Sequence, residues 1–159
     1  MNLKILYAIA LTFLPISELR IGLPVAISYA IEKNIPIFLI FCLIVFLNIL
    51  LIFFIFWFLN NLHLIFMNLK FYRKGFGFFL KKFQKKIDRF EKKYDAFGFI
   101  ALTLFVAVPL PGTGAWTGTL LAWLLGLDKK KSIFSIALGV LIAGILILFG
   151  SLGFIQLFS

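Results

Sequence analysis

The chain has 159 residues, of which 63% are hydrophobic and only 14% are charged. A soluble domain of this length could not bury so much apolar surface, so the composition excludes an ordinary soluble protein and indicates a single membrane domain. The net charge is +10, which in a soluble protein would suggest a nucleic-acid partner. Here most basic residues crowd into one middle stretch and one short loop, a pattern typical of membrane orientation and of contact with anionic lipid headgroups.

Four apolar blocks follow one another along the chain, and they form two pairs. The blocks cover residues 3–31, 35–60, 97–127 and 132–157. The second and fourth have no charge and no proline beyond Pro36, so each is read as a plain spanning helix, for which about 20 apolar residues suffice. The first block is broken over residues 15–24 and the third over residues 109–114. We expect the first block to belong to the mature fold rather than to a cleaved signal peptide, because it carries Glu18 and Arg20.

The broken blocks predict re-entrant hairpins. Each arm beside a break has roughly a dozen residues, and such a helix is about 18 Å long, too short to cross a hydrocarbon core of about 30 Å. Two arms can instead enter and leave on the same side, provided that the break is buried in protein or lines a wet cavity. The alternative is a pair of kinked helices that span fully. Only the hairpins put the basic middle segment and residues 129–131 on one face, with Lys4 and Lys33 on the other, as the positive-inside rule favours.

With hairpins, the two units lie antiparallel in the membrane, which is an inverted repeat of the kind found in many secondary transporters. The predicted fold class is therefore an all-α integral membrane protein with two re-entrant helical hairpins and two spanning helices. Repeat one covers residues 1–60, a connector covers residues 61–95, and repeat two covers residues 96–159. As a multi-pass protein of the plasma membrane, the chain would have both termini outside, and its connector and the loop at residues 129–131 would be cytoplasmic.

The connector contains a basic amphipathic helix. Large apolar residues recur every three or four positions, as on one face of an α-helix. They are Phe76, Phe79, Phe83, Ile87, Phe90 and Tyr94. Most basic residues fall off that face. They are Lys81, Lys82, Lys85, Lys86, Arg89, Lys92 and Lys93. We expect this helix to lie flat at the inner interface, either as a topology anchor on anionic lipid or as a surface that recruits headgroups.

Glu18 and Arg20 are the only charged side chains in the interior of the apolar blocks. Each costs roughly 2.5–3.5 kcal/mol at the centre of a membrane helix, so their presence is a reason to expect a functional site. In one interpretation, Glu18 carries a proton or a cation and Arg20 holds an anionic group, with Ser17 beside them. In the other, the two charges form a buried pair that fixes the hairpin tip.

The second break supplies backbone groups rather than charges. Backbone N–H groups at the start of the arm after it carry the positive end of a helix dipole, which makes them a potential anion site. The residues that we predict for this site are Gly112, Thr113, Gly114 and Trp116. Close packing of a small-residue turn is the alternative. Prolines lack an N–H and end helical arms, and those predicted to mark the two breaks are Pro15, Pro24, Pro109 and Pro111.

The two breaks resemble a known family. Pro-x-Ser-Glu-Leu-Arg-x-Gly-x-Pro at residues 15–24, with Pro-x-Pro-Gly-Thr-Gly-Ala-Trp-x-Gly at residues 109–118, is similar to the family of putative small multidrug export proteins. That family looks like a relative of the DedA/VTT superfamily. The resemblance implies re-entrant hairpins in an inverted repeat, and movement of lipids, including polyprenyl-phosphate carriers, across membranes with dependence on the proton-motive force. The second break here has no arginine or acid, so only Glu18 and Arg20 are carried over from the superfamily.

These features predict a secondary transporter or lipid translocase, coupled to protons or cations, that acts on an amphipathic substrate or one with an anionic headgroup. The alternatives are cation-drug efflux of the small multidrug resistance type and a membrane scaffold or assembly factor that transports nothing. The expected partners are anionic lipids, an unidentified small-molecule or lipid substrate and a second copy of the chain, with no nucleic acid. We expect no cofactor, metal or enzymatic activity, because Cys42 is the only cysteine and no catalytic motif occurs.

Overall fold

The computed structural model describes residues 3–14, 17–62, 68, 70–110 and 112–158, and for residues 3, 4, 72, 79, 80, 82–97, 157 and 158 it describes the backbone alone. Six helices, and no strands, form the secondary structure of these residues. Their bounds are α1, Leu3–Phe13; α2, Glu18–Glu32; α3, Ile37–Asn61; α4, Lys70–Ala107; α5, Ala115–Leu124; and α6, Lys129–Phe158. The prediction of an all-helical chain is confirmed.

Two helices are long and apolar enough to cross a membrane, and they are the second and fourth blocks of the sequence. α3 has a mean hydropathy of 3.3, and residues Lys129–Gln156 of α6 have a mean hydropathy of 2.7. Many of their large side chains face outward, as expected of helices whose solvent is lipid. The most exposed are Phe38, Phe46, Phe134, Phe149 and Phe154.

α3 and α6 run antiparallel. Gly144, in the second half of α6, packs against Phe41 and Val45 near the start of α3. At the other end, the Lys129 ammonium lies 6.0 Å from the ring centre of Phe56, close to the end of α3. The basic start of α6 therefore lies beside the end of α3, from which the connector departs.

The remaining apolar helices form two short hairpins. α1 has 11 residues, or about 16 Å of helix, and folds back on α2. Gly22 of α2 lies against Ala8 and Thr12 of α1. In the second hairpin, α4 has a non-helical residue at Gly98 (φ 34°, ψ −101°), which separates the connector from the apolar stretch Gly98–Ala107. That stretch folds back on α5, where Gly118 lies against Val106.

The first break is shorter than predicted. α2 begins at Glu18 and runs without interruption through Pro24, so the prediction that Pro24 marks a break is wrong. A proline inside a helix removes one backbone hydrogen bond, here to the carbonyl of Arg20, and the remaining turns hold the helix together. Pro109 lies between α4 and α5 as predicted. Pro15 and Pro111 are outside the described residues.

The connector is helical, as its periodicity predicts, and its start is anchored on the bundle. Phe76 packs against a buried cluster that includes Leu51 and Ile55 of α3. Lys81 is exposed, as are Lys70, Arg73 and Lys74 before it. The side chains of the other predicted basic residues lie outside the described set: they are Lys82, Lys85, Lys86, Arg89, Lys92 and Lys93. Their contact with lipid stays a prediction.

Candidate functional site

The two breaks meet inside the bundle. Three hydrogen-bonded contacts join the first break to the second, although the residues involved are more than 90 positions apart in the chain. Most of the site residues predicted from the sequence lie in this junction, which we call the tip junction. It consists of Ser17, Glu18 and Arg20 from the first hairpin and Gly112, Thr113, Gly114 and Trp116 from the second.

Glu18 caps the N-terminus of α5. Its Oε2 accepts a hydrogen bond from the backbone N–H of Ala115 (2.9 Å), and its Oε1 accepts one from the backbone N–H of Trp116 (3.0 Å). The first N–H groups of a helix have no partner within the helix and carry its positive dipole end. The residue at the N-cap of α5 is Gly114, which has no side chain to cap them. A carboxylate from the other hairpin does so instead.

The space for this carboxylate depends on Gly114. A Cβ built on Gly114 would overlap Oε2 of Glu18, so any larger residue there would displace the carboxylate. Glu18 itself is only 4% exposed and has a left-handed backbone (φ 40°), a conformation that costs about 1–3 kcal/mol in a non-glycine residue. The strain lies at the residue whose side chain makes the junction.

Arg20 forms the second contact. Its Nη2 donates a hydrogen bond to Oγ1 of Thr113 at 2.6 Å. The Thr113 hydroxyl in turn lies 2.7 Å from the carbonyl oxygen of Val108 and 2.8 Å from that of Leu110. With its single hydrogen it can donate to either carbonyl while accepting from Arg20. Thr113 therefore ties the cation of one hairpin to the irregular backbone of the other.

The remaining tip residues have smaller roles. The indole Nε1 of Trp116 donates to the carbonyl oxygen of Phe13 (3.0 Å), which is the third contact between the hairpins. Ser17 does not cross the junction, because its hydroxyl donates to Leu11 within its own hairpin (2.7 Å). Gly112 has a positive φ of 76°, which glycine adopts without strain and which turns the chain towards α5.

Two expectations change as a result. Among the residues that the structure describes, Lys33 and Glu32 form an ion pair, with Nζ and Oε1 3.9 Å apart. Glu18 and Arg20 form no such ion pair. The two charges interact electrostatically without forming a contact ion pair, and each of them hydrogen-bonds to the opposite hairpin. The amide site predicted at the start of α5 is present, but the anion that fills it is the carboxylate of Glu18.

Sequence analysis missed Asn48. This residue of α3 is fully buried and lines a cavity of about 10 Å³ together with Glu18 and Arg20. The signal was available, because Asn48 is the one amide within the apolar run from Ile37 to Trp57. The run predicts a plain spanning helix because it contains no charge and no proline, and a single amide does not alter that prediction.

A larger groove opens between α2 and the end of α6. Its volume is about 500 Å³, within the range of small-molecule sites. The lining residues are Pro24, Ser28, Ile147, Gly150, Ser151, Phe154 and Ile155. Pro24 lies about 9 Å along the α2 axis from Glu18, at about 1.5 Å per residue. The groove is mostly apolar and lies on the helix that begins at the tip junction.

The substitution Thr113→Val tests the contact with Arg20. It removes the hydroxyl while keeping the shape, so a charge-assisted hydrogen bond is lost and we expect the free energy of unfolding in detergent to fall by about 1.5–3 kcal/mol. Thr119→Val is the matched control, because the buried Thr119 hydroxyl has no hydrogen-bond partner among the described residues. Its stability should be unchanged or higher. Equal losses in the two variants would contradict the assigned role of Thr113.

Comparison with known proteins agrees with this architecture. Residues 18–146, which include the whole tip junction except Ser17, match the family model described as "Putative small multi-drug export protein". No curated protein matches the chain, and no solved structure does. The two long apolar helices and this match fit a membrane protein. Because the match covers most of the chain, the protein belongs to the putative small multi-drug export protein family.

Proposed function

We propose that the protein is a proton-coupled secondary transporter that moves an amphipathic substrate with an anionic group. In this proposal Glu18 couples the movement of the proton to the movement of the substrate. The observation that carries the proposal is the double hydrogen bond from the start of α5 to the buried Glu18 carboxylate. The family description supports an export role. The substrate class and the coupling are inferred from the residues of the tip junction.

The coupling follows from the chemistry of the carboxyl group. As a carboxylate, Glu18 accepts from Ala115 and from Trp116 and balances the positive end of the α5 dipole. Protonation removes the charge and converts one acceptor oxygen into an O–H, so one of the two hydrogen bonds is weakened or lost. The amide groups of α5, with Arg20 nearby, are then available to a different anion. The substrate and the Glu18 carboxylate would compete for one site.

The groove between α2 and α6 suits the apolar part of the substrate. It is large enough for a drug-sized or acyl group, and the hydroxyls of Ser28 and Ser151 are among its few polar groups. Because Pro24 lines the groove and Glu18 begins the same helix, one molecule could lie along α2 with its polar end at the tip junction. The proposal thus assigns the two ends of the substrate to two described sites.

The proposal includes a membrane arrangement. The two hairpins would be re-entrant, entering from opposite sides and meeting at the tip junction, as in the inverted repeats of many secondary transporters. Their short arms, their contact tip to tip and the position of Lys129 beside the end of α3 support this arrangement. A relationship to the DedA/VTT superfamily, which we propose as well, would imply the same arrangement. The exposed lysines at the start of α4 would then face anionic lipid on the cytoplasmic side.

Transport in reconstituted vesicles tests the function. With the native protein, we expect a fluorescent phosphatidylglycerol to cross the bilayer faster under an imposed pH gradient. We expect Glu18→Gln to abolish the gradient-driven part of this movement, because the glutamine amide does not take up a proton as a carboxylate does. Ethidium is the second probe. Movement of ethidium alone would assign the substrate to cationic drugs, and movement of neither probe would contradict the proposal.

Filling the groove tests the site for the apolar part. In Gly150→Leu the new side chain enters the groove, and an added Cβ meets no atom within 4 Å, so the fold should persist. We expect transport of the fluorescent lipid to fall by about tenfold, since a groove this size loses roughly the burial of one or two methylene groups of substrate. Gly153→Leu is the control, because Gly153 is equally open but does not line the groove. An equal loss of transport in Gly150→Leu and Gly153→Leu would show that the groove does not hold the apolar part of the substrate.

Sided labelling tests the membrane arrangement. In a Cys42→Ala background, single cysteines replace the exposed Lys33, Lys81 and Lys130. An impermeant thiol reagent on intact cells should label the position 33 variant and should reach the other two only after the membrane is opened. If the position 130 variant is labelled from outside while the position 81 variant is not, the second hairpin spans the membrane and the inverted repeat is wrong.

A further inference from the structure

A small cavity lies against Glu18 on the side of α3. Its volume is about 10 Å³, close to the smallest space that holds one water molecule. The polar side chains in its lining come from Glu18, Arg20 and Asn48, and the rest of the wall is backbone of α5 and apolar side chains. Three polar groups around so small a space are unusual in the interior of a membrane protein.

Asn48, which lines this cavity, has an unsatisfied polar atom. Its side chain is 0% exposed, and its Nδ2 makes one long hydrogen bond, to the carbonyl oxygen of Ile44 at 3.4 Å. Its Oδ1 has no partner among the described residues. Rotating the amide by 180° would bring Oδ1 towards the Ile44 carbonyl oxygen, which is an unfavourable contact of two acceptors. The assignment of Nδ2 to the Ile44 side and of Oδ1 to the opposite side is therefore the favourable one. A buried, unsatisfied carbonyl is rare in native proteins and calls for a hydrogen-bond donor.

We propose that the cavity binds one water molecule between Asn48 and Glu18. A water there has two acceptors for its two O–H groups, Oδ1 of Asn48 and the Glu18 carboxylate, and the Arg20 guanidinium as a donor to its oxygen. Three partners are typical of a buried water. A bare metal cation fits less well, because the Arg20 charge repels it and the cavity offers few oxygen ligands.

This water gives the proton a route to Glu18. The relay is concerted: the bound water passes one of its own O–H protons to a free lone pair of the Glu18 carboxylate while its oxygen takes up a proton from a hydronium ion of the solvent. This leaves two neutral waters and a carboxylic acid, and no hydronium rests beside Arg20. Among the described residues, Arg20 is the only other titratable group in the lining, since α3, α4 and α6 contribute Asn48, Val106, Val140 and Ala143. Asn48 is thus a positioning residue for the coupling proton. Its role in coupling rests on the proposed function, whereas binding of the water does not.

Infrared difference spectroscopy of the reconstituted protein tests the site without any transport. Spectra are recorded between acidic and basic pH, and the bands of Glu18 are identified by their loss in Glu18→Gln. We expect a discrete O–H stretching band that shifts when the solvent is changed from ordinary water to ¹⁸O-labelled water. Absence of an ¹⁸O-sensitive band in the native protein would overturn the proposal, whether or not the protein transports anything.

Two variants then assign the water to Asn48. In Asn48→Leu, which has a similar volume and no acceptor, the ¹⁸O-sensitive band should disappear and the carbonyl stretch of protonated Glu18 should move to higher frequency, because it loses a hydrogen bond. Thr119→Val, which removes the other buried side-chain atom that has no hydrogen-bond partner among the described residues, should leave both signals unchanged. Unaltered spectra in Asn48→Leu would overturn the assignment. So would bands that change when sodium in the buffer is replaced by choline, since they would indicate a bound cation.

Discussion

The hydrogen bonds from Ala115 and Trp116 to the Glu18 carboxylate are the interaction on which the rest of this structure depends. A helix that begins inside an apolar bundle has N–H groups without partners in the helix. A buried carboxylate has lost most of its hydration. In this protein each of these two unfavourable groups is the partner of the other, and they come from opposite ends of the chain. The two breaks are therefore stable only together.

The same contact explains why small and special residues surround it. Gly114 leaves the space that Oε2 of Glu18 occupies. Thr113 accepts a hydrogen bond from the Arg20 guanidinium while its hydroxyl donates to one of the two carbonyl oxygens of its own loop. The strained backbone of Glu18 is retained where its side chain enters the opposite hairpin. Each of these features would be a liability elsewhere in an apolar bundle, and here they serve one junction.

Much of this could be predicted from the sequence. Uninterrupted apolar runs predicted α3 and α6, because the length and hydropathy of such helices are visible in the sequence itself. Two charges in an apolar block predicted a site at Glu18 and Arg20, and both residues lie in the tip junction. What could not be predicted was their partners, since a contact between residues 97 positions apart leaves no local pattern in one sequence. Pro24 was misread because a proline that is tolerated within a helix has the same sequence signal as one that ends it.

Asn48 shows a different limit. A single amide in an apolar run is compatible with a hydrogen bond to its own helix. Only the packing of α3 against the tip junction shows that Asn48 lines a cavity with Glu18 and that its oxygen has no partner among the described residues. In a chain of 159 residues, Glu18, the backbone groups that it caps and Asn48 thus come from three different helices. A link that holds the hairpins together in one protonation state and releases them in the other would join stability to transport.

The most direct test of this account is the fluorescence of Trp116 as a function of pH. In a reconstituted Trp57→Phe, Trp123→Phe protein, Trp116 is the only tryptophan, and both its backbone N–H and its indole bond across the tip junction. The account predicts that acidification changes its emission as Glu18 leaves the start of α5. It also predicts that Glu18→Gln has no such response and resembles the acidic state throughout. The same pH response in Glu18→Gln as in the parent protein would contradict it.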